Sequence, residues 1–590
     1  MPASGPGPFS DLRSFVTYLE RTGRLKRVTV PVDPVLEISE ILQRVVREQG
    51  PALLFERPKG SDIPLVTNLF GTMDRMELAL GHHPQAIGSE LVDALQRLNP
   101  PSLGALWGAR KLLARARHMV PRPTRRAPVQ EIVEPPRLLA LPHLQCWPRD
   151  GGRFVTFGPT LTEDPVTHRR NFGLYRLHVY DDATTGMHWQ SLKGGRGHHW
   201  EAERRHEGLP AAVVLGGDPI TMLAAVLPLP EDVDELAFAG FLRGAATRLV
   251  RGRSIPLAVP ANADIILEGV VAPEERRLEG PFGDHFGHYS EASDFPVFRV
   301  KTVTRRRDAL YPATVVGKPP QEDKVIGVAA GEMIGPLVRM INPNVVDLYA
   351  FENASFHNLV GVAVKERHPK EVLKTAFNLL GTGQLALTKV MVMVGEHVSP
   401  RRFDALLREL WHRFEPEERM LLLPIAPLDT LDYTSYRMHV GSKLVLDAAG
   451  EPVTTAPPPS VLPALEGFDQ RIGRARLVEG LLVVEARSDA RALLERLVRW
   501  DGLGPIKLVV VVSGDVALDQ EASLLWGIFT RFDPARDLVA QSQEFVGARP
   551  VYRGRLGIDA TWKAGYPAPL EMAPEIVRLV DRRWGEYFPG

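Results

Sequence analysis

The sequence predicts a multidomain α/β chain with a β-rich middle, and three observations carry that reading. Helix-spaced and strand-like runs alternate at the start, short alternating strands dominate residues 150 to 305, and one α/β module recurs in the tail. A length of 590 residues leaves room for three or four domains of roughly 150 residues each. Lys and Arg together equal Asp and Glu at 71 each, so no net field recruits nucleic acid or an anionic membrane surface. The single cysteine, Cys146, excludes an internal disulfide and a cysteine-rich zinc site. The opening Met1-Pro-Ala-Ser-Gly-Pro-Gly-Pro8 has neither the basic nor the apolar stretch of a signal peptide. No apolar run approaches a membrane span, so a cytoplasmic protein is expected.

In chain order, Leu12, Phe15, Val16 and Leu19 fall at helical spacing, with Ser10 or Asp11 as cap and Gly23 as stop. A second helix is expected with Asp33 as N-cap, Pro34 in its first turn and Gly50 beyond its end. β-like runs flank it at 25–30 and 52–55, giving an N-terminal α/β domain over 1–110. Residues 110–126 are dense in Arg and Lys but lack the interleaved aromatics of a nucleic-acid surface. A solvated helix face leading into a Pro-rich connector is expected there.

The second domain, 111–305, reads as strands at 173–180, 211–215, 263–271 and 298–302, with one short helix capped by Asp234 and stopped near Gly244. Near its end lies Glu279-Gly-Pro-Phe-Gly-Asp-His-Phe-Gly-His-Tyr289. Glycine and proline argue for a tightly turned loop holding two carboxylates, Glu279 and Asp284. Such a pair can be driven apart in pKa, one ionised and one ready to donate a proton. Taken alone it also fits a solvated acidic turn.

The tail is read as 306–450 and 464–590, separated by a Pro-rich linker over 451–463. Lys389-Val-Met-Val-Met-Val-Gly-Glu-His-Val398 is echoed by Lys507-Leu-Val-Val-Val-Val-Ser-Gly-Asp-Val516. Arg413-Phe-Glu-Pro416 and Arg531-Phe-Asp-Pro534 follow at equal distances, and Lys443-Leu-Val-Leu-Asp447 matches Arg555-Leu-Gly-Ile-Asp559. A duplicated module is expected.

Several segments together resemble the UbiD family of prenylated-FMN-dependent decarboxylases. They are Asn171-Phe-Gly-Leu-Tyr-Arg176, Glu235-Leu-Ala-Phe-Ala-Gly-Phe-Leu-Arg-Gly244, Leu267-Glu-Gly269, Glu279-Gly-Pro-Phe-Gly-Asp-His285, Asp294-Phe-Pro-Val-Phe298 and Gly441-Ser-Lys443. The resemblance implies a split β-barrel that binds flavin, between an N-terminal α/β domain and a C-terminal dimerising α/β domain. It implies reversible, non-oxidative decarboxylation of an aromatic or α,β-unsaturated acid. Prenylated FMN would come from a separate flavin prenyltransferase, with Mn²⁺ (or Mg²⁺) on its phosphate and often K⁺ nearby.

By the same resemblance Asp284 is the proton donor, and Glu279 and Arg176 complete a charge network beside it. Leu174, Tyr175, Arg176, His188, Trp189, Gln190, Lys193, Gly194 and Lys443 match flavin-binding positions. Asn171 and Glu235 match metal ligands. The family's third ligand, a His three residues after Trp189, is here Leu192. His198, on what reads as a flexible Gly-rich turn, is the expected replacement, with His199 and His188 as alternatives. Asp284 instead of Glu at the donor position resembles the quinone-pathway branch, so a ubiquinone or menaquinone precursor is the expected substrate. A homodimer or larger homo-oligomer is expected, with peripheral membrane association if the substrate carries a prenyl tail. A conventional FMN oxidoreductase and a non-catalytic flavin or metal carrier are the rival readings.

Overall fold

Asp11 caps the first helix, Leu12–Arg21, and its carboxylate accepts the Ser14 N–H while Ser14 bonds back to Asp11. The expected stop follows at Gly23, whose φ is 72°. The second helix starts later than its sequence suggests. Val35 bridges to Gln145, and Leu36, at φ 67°, donates to the Gln145 carbonyl before the chain turns into the helix Glu37–Arg47. Asp33 therefore caps the turn, accepting from Val35, while the Glu37 carboxylate reaches back to the Asp33 N–H.

The computed structural model describes residues 8–589 except 98, 100, 101, 190–193, 228 and 230–232. The chain divides into two compact units, Met1–Met333 with Ala568–Gly590, and Ile334–Pro567.

In the first unit, Leu25–Val28 lies parallel to Ala52–Phe55, which pairs antiparallel with Leu65–Thr67. Tyr311–Pro312 completes that sheet beside Leu65–Thr67. The larger sheet has seven strands among the described residues, six of them in one open antiparallel path. Its order is Thr184–Gly186, Ser293–Arg305, Ile265–Glu279, Leu209–Leu215, Pro159–Glu163 and Arg170–Leu174, with Ile132–Glu134 beside Ser293–Arg305. Alternation sends Val213, Leu215, Leu267, Phe298 and Val300 into one core cluster and Ala212, Val214 and Ile266 into another. Asp234 and Gly244 bound the helix Glu235–Arg243 as their chemistry dictates. The terminal helix Pro574–Tyr587 packs on Glu37–Arg47, with Arg44 on Asp581 at 2.7 Å and the Tyr587 hydroxyl on Glu37 at 2.6 Å.

Three expectations are corrected here. The strand expected over 173–180 is two strands in different sheets, Arg170–Leu174 and Leu177–His178. The break falls at Tyr175-Arg176, where both side chains are drawn to polar partners. The loop after Glu279 is a hairpin, with Phe282–Gly283 paired to Tyr289–Ser290 around a turn at 284–288. The Gly-rich stretch from Gly194 is the first turn of a helix, Gly194–Arg204. A Cβ on Gly194 would lie 2.3 Å from Asn171 Oδ1, so any larger residue there would push the Asn171 side chain aside.

The second unit holds two five-stranded sheets of the same order and pairing sense. One runs Val345–Ala350, Val360–Val364, Val390–Gly395, Val440–Ala448, Met420–Pro427. The other runs Ile472–Val478, Leu481–Ala486, Leu508–Val512, Arg549–Ala560, Leu538–Val546. The two Arg-Phe-acid-Pro motifs each open a one-turn helix, Pro416–Arg419 and Pro534–Asp537, with proline in the first turn. Among the described residues no helix is long and apolar enough to cross a membrane.

Candidate active site

Three separate pieces of backbone bring Arg176, Glu279 and Asp284 together. Arg176 sits in the break between two strands, Glu279 is the last residue of the long strand Ile265–Glu279, and Asp284 opens the hairpin turn. Arg176 binds Glu279 through two parallel bonds of 2.8 and 3.0 Å, and its Nη1 donates to Asp284 Oδ2 at 2.6 Å. Nη2 also reaches Ser290 Oγ at 3.0 Å, and the guanidinium lies 4.6 Å from the centre of the Phe282 ring. The Arg176, Glu279 and Asp284 side chains are only 8%, 0% and 11% exposed. A forked guanidinium is the one side chain able to serve both acids in this planar way.

The ionisation states follow from that geometry. Burial pushes Glu279 upward, but the Arg176 charge and the His188 hydrogen bond outweigh it and hold Glu279 down at about 2. Burial also raises Asp284, and it is overcome by the bond from His285 and the Arg176 charge, leaving the carboxyl below its ordinary value. Both acids are thus ionised around Arg176 at neutral pH. His188, expected among the flavin-binding residues, here places Nδ1 3.2 Å from Glu279 Oε2, with its ring stacked on Phe295 at 4.3 Å.

The hairpin is held by a second layer that the sequence motifs do not reveal. Asp150 Oδ1 accepts the Gly283 N–H at 2.8 Å, and its Oδ2 accepts those of Cys146 and Trp147. Burial, outweighing these bonds, pushes Asp150 up to about 7. Trp147 packs so closely on Gly283 that a Cβ there would stand 2.1 Å from Cδ1. On the far edge, Tyr289 donates to Ala568 and Leu570 donates to Gly287, so the end of the chain closes the hairpin. An acid followed by Gly151-Gly152 was the signal for Asp150. No local pattern signals the contact with residues 568–570.

Of the residues expected at the metal and the flavin, Asn171 and Leu174 lie on the strand Arg170–Leu174, while Glu235 and His198 come from the helices Glu235–Arg243 and Gly194–Arg204. Asn171 and Phe172 belong to Arg170–Leu174, and the Phe172 N–H donates to Glu235 Oε2 at 3.0 Å. Burial pushes Glu235 up to about 7, against the pull of main-chain N–H groups. A divalent cation at an amide oxygen and this carboxylate would hold it ionised. Asn171 Nδ2 donates to the Tyr175 hydroxyl, which also accepts the Gly195 N–H, and this ties the helix start to the strand. His198 Nδ1 is 2.9 Å from Thr162 Oγ1, and Thr162 stands opposite Asn171 in the strand pair. His199 is turned away, buried between Arg196 and Glu203, and burial takes it down to about 4. Among the described residues no three His, Cys, Asp or Glu side chains form a metal cluster.

Leu174 donates its N–H to Ala225, and Trp189 is buried with its indole N–H finding no partner among the described residues. Gln190, Leu192 and Lys193 lie outside the described residues. Lys443 belongs to the second unit. It is buried, its ammonium donates to the Ala386 and Thr388 carbonyls at 2.8 and 2.6 Å, and burial takes it down to about 7.

Comparison with known proteins gives a consistent pattern. Residues 16–95, 122–319 and 324–448 with 478–560 match the N-terminal, Rift-related and C-terminal domains of 3-octaprenyl-4-hydroxybenzoate carboxy-lyase. An uncharacterised protein of Chlamydia trachomatis is 38% identical over 98% of this chain and 100% of its own. A Chlamydia pneumoniae protein, named as one of the subunits of a 4-hydroxybenzoate decarboxylase, is 36% identical over 98% of this chain and 99% of its own. Among solved structures, vanillic acid decarboxylase of Sedimentibacter hydroxybenzoicus is 25% identical, with a TM-score of 0.66 over 79% of this chain and 97% of that one. The UbiD-class enzyme HmfF of Pelotomaculum thermopropionicum, solved with FMN, is 26% identical, with a TM-score of 0.63 over 78% of this chain and 96% of that one.

Proposed function

The chain belongs to the UbiD family of carboxy-lyases, and from that premise we propose that it decarboxylates a phenolic aromatic acid with prenylated FMN and a divalent metal, at a step of ubiquinone or menaquinone biosynthesis. The observation that carries the proposal is the buried Arg176 shared between Glu279 and Asp284. The named relatives that act on hydroxylated benzoates support the substrate class. Asp284 at the donor position supports the quinone pathway.

Releasing CO2 leaves an electron pair on carbon, and the prenylated flavin, when bound, supplies the electron sink that lowers this barrier. The chain must orient the acid, exclude water and deliver a proton. Glu279, held ionised and fully buried, fixes the Arg176 guanidinium in place. Arg176 in turn fixes Asp284. An anionic substrate arriving beside them adds negative charge, which raises the Asp284 pKa and favours its protonated, donating form. Asn171, Glu235 and His198 are the residues we assign to the metal: their amide, carboxylate and imidazole donors would hold Mn²⁺ or Mg²⁺. Leu174, Tyr175, Trp189, Gln190, Lys193 and Gly194 are assigned to the flavin. Lys443, whose ammonium is spent on two carbonyls, is assigned to bracing the turn at 383–388 instead of the phosphate. We read the open antiparallel sheet as the family's split barrel. The matched topology of the two C-terminal sheets, together with the sequence repeat, supports a duplicated module.

The test is to purify the protein from cells that co-express a flavin prenyltransferase, record its absorption spectrum, and assay CO2 release and deuterium exchange on hydroxybenzoates. Modified flavin with exchange at the carbon that bore the carboxylate is the expected result. Ordinary FMN with hydride-donor oxidation would establish the oxidoreductase, and bound modified flavin without exchange on any acid would establish the carrier.

A further inference from the structure

Each decarboxylation consumes a proton: R–CO2⁻ and H⁺ give R–H and CO2. The electron pair of the broken C–C bond takes its proton from Asp284, leaving a carboxylate that must be reprotonated before the next turnover. The structure makes this a real problem. Asp284 is 11% exposed, and its Oδ2 is held by Arg176, a guanidinium that keeps its protons in proteins.

The other oxygen, Oδ1, faces His285. It accepts the His285 main-chain N–H at 2.8 Å and lies 2.9 Å from the ring Nδ1. The ring is held edge-on by buried Phe286, with centroids 5.1 Å apart. Its side chain is 26% exposed, so it touches both the buried acid and the solvent. The neighbouring titratable groups are worse placed. Glu279 is fully buried on the opposite side of Arg176, His188 faces Glu279, and Asp150 is turned to the main chain of Gly283, Cys146 and Trp147. Asp323, at the start of the helix Glu322–Ile341, stands close enough to His285 for its carboxyl to feel the ring's charge.

Resting on the assignment of Asp284 as donor, we propose that His285 is the proton carrier that recharges it between turnovers. The Nδ1–H bond of the imidazolium breaks as the Asp284 O–H bond forms, and the neutral ring then takes a proton from solvent. His285 is a positioning and relay residue, since the substrate is reached by Asp284.

His285→Gln separates relay from hydrogen bonding, because glutamine still donates to Asp284 but carries no exchangeable charge. In the cofactor-loaded enzyme the expected result is a steady-state kcat lower by on the order of 10²-fold, with unchanged KM and recovery with added imidazole. A kcat loss that added imidazole does not rescue would show a structural role only. So would an unchanged kcat show that the ring carries nothing. A second reading needs no cofactor: in ligand-free protein with ring-labelled histidine, Asp284→Asn should shift the NMR signal assigned to His285. An unmoved signal overturns the relay whatever the turnover assay gives. Wild-type protein that turns over no acid, with that shift present, counts against the decarboxylase reading and not against the ring-to-acid contact.

Discussion

Glu279→Gln isolates the charge of the most buried member of the trio. Glutamine keeps the shape of a protonated glutamic acid, so the substitution costs the free energy by which the fold prefers carboxylate to acid. Glu279 is held at about 2 against an ordinary 4.5, and each tenfold is worth ~1.4 kcal/mol, so the loss at neutral pH is ~3 kcal/mol. The side chain is fully buried, so solvent screening takes little from this figure. The sign fixes its pH dependence. A depressed folded-state pKa contributes stability that is fully present above the ordinary value and lost as pH falls towards about 2. The variant should therefore be ~3 kcal/mol less stable at pH 7, and the gap should close between roughly pH 4.5 and pH 2. Urea titration read by pulsed hydrogen exchange on peptides from 265–305 isolates the first unit from the second. A deficit below ~1 kcal/mol at pH 7, the size of an ordinary neutral hydrogen bond, would refute the reasoning. So would a deficit equal at pH 7 and pH 2.5, which would point to shape instead of charge.

Asp150→Asn replaces an acceptor of three main-chain N–H groups with a side chain that turns an NH2 towards at least one of them. The expected loss is ~1–3 kcal/mol, together with faster hydrogen exchange in 282–290 and a lower kcat; unchanged exchange there would remove Asp150 from the support of the hairpin. His198→Ala should lower retention of metal and flavin through gel filtration, read by elemental analysis and absorbance. Full retention would move the ligand role to water or to another histidine.

Sequence carried the parts of the fold and site that depend on local chemistry. Asp11 and Asp234 cap helices because their carboxylates reach N–H groups two or three residues away, and the alternation of Phe298 and Val300 with Arg299 and Lys301 shows the two faces of Ser293–Arg305 directly. The trio was legible as residue types in ordered motifs. Its supports were not, because they are made across the fold. Leu36 departs from the helix to meet Gln145, Asp150 reaches Gly283 from another segment, and residues 568–570 return to the hairpin from the far end of the chain. The break at Tyr175-Arg176 was hidden for the same reason: its alternating pattern looks like one strand until the partners of Tyr175 and Arg176 are known. Gly194 reads as turn in the sequence because glycine signals both flexibility and close approach. Only Asn171 Oδ1 beside it distinguishes them.

The most direct measurement is single-turnover decarboxylation in D2O by the cofactor-loaded Asp284→Asn variant beside wild type. Wild type should place one deuterium on the carbon that loses CO2, while the variant, its modified flavin still bound by absorbance, should release no CO2 above background. A variant that turns over at the wild-type rate and still deuterates that carbon would show that the proton comes from elsewhere.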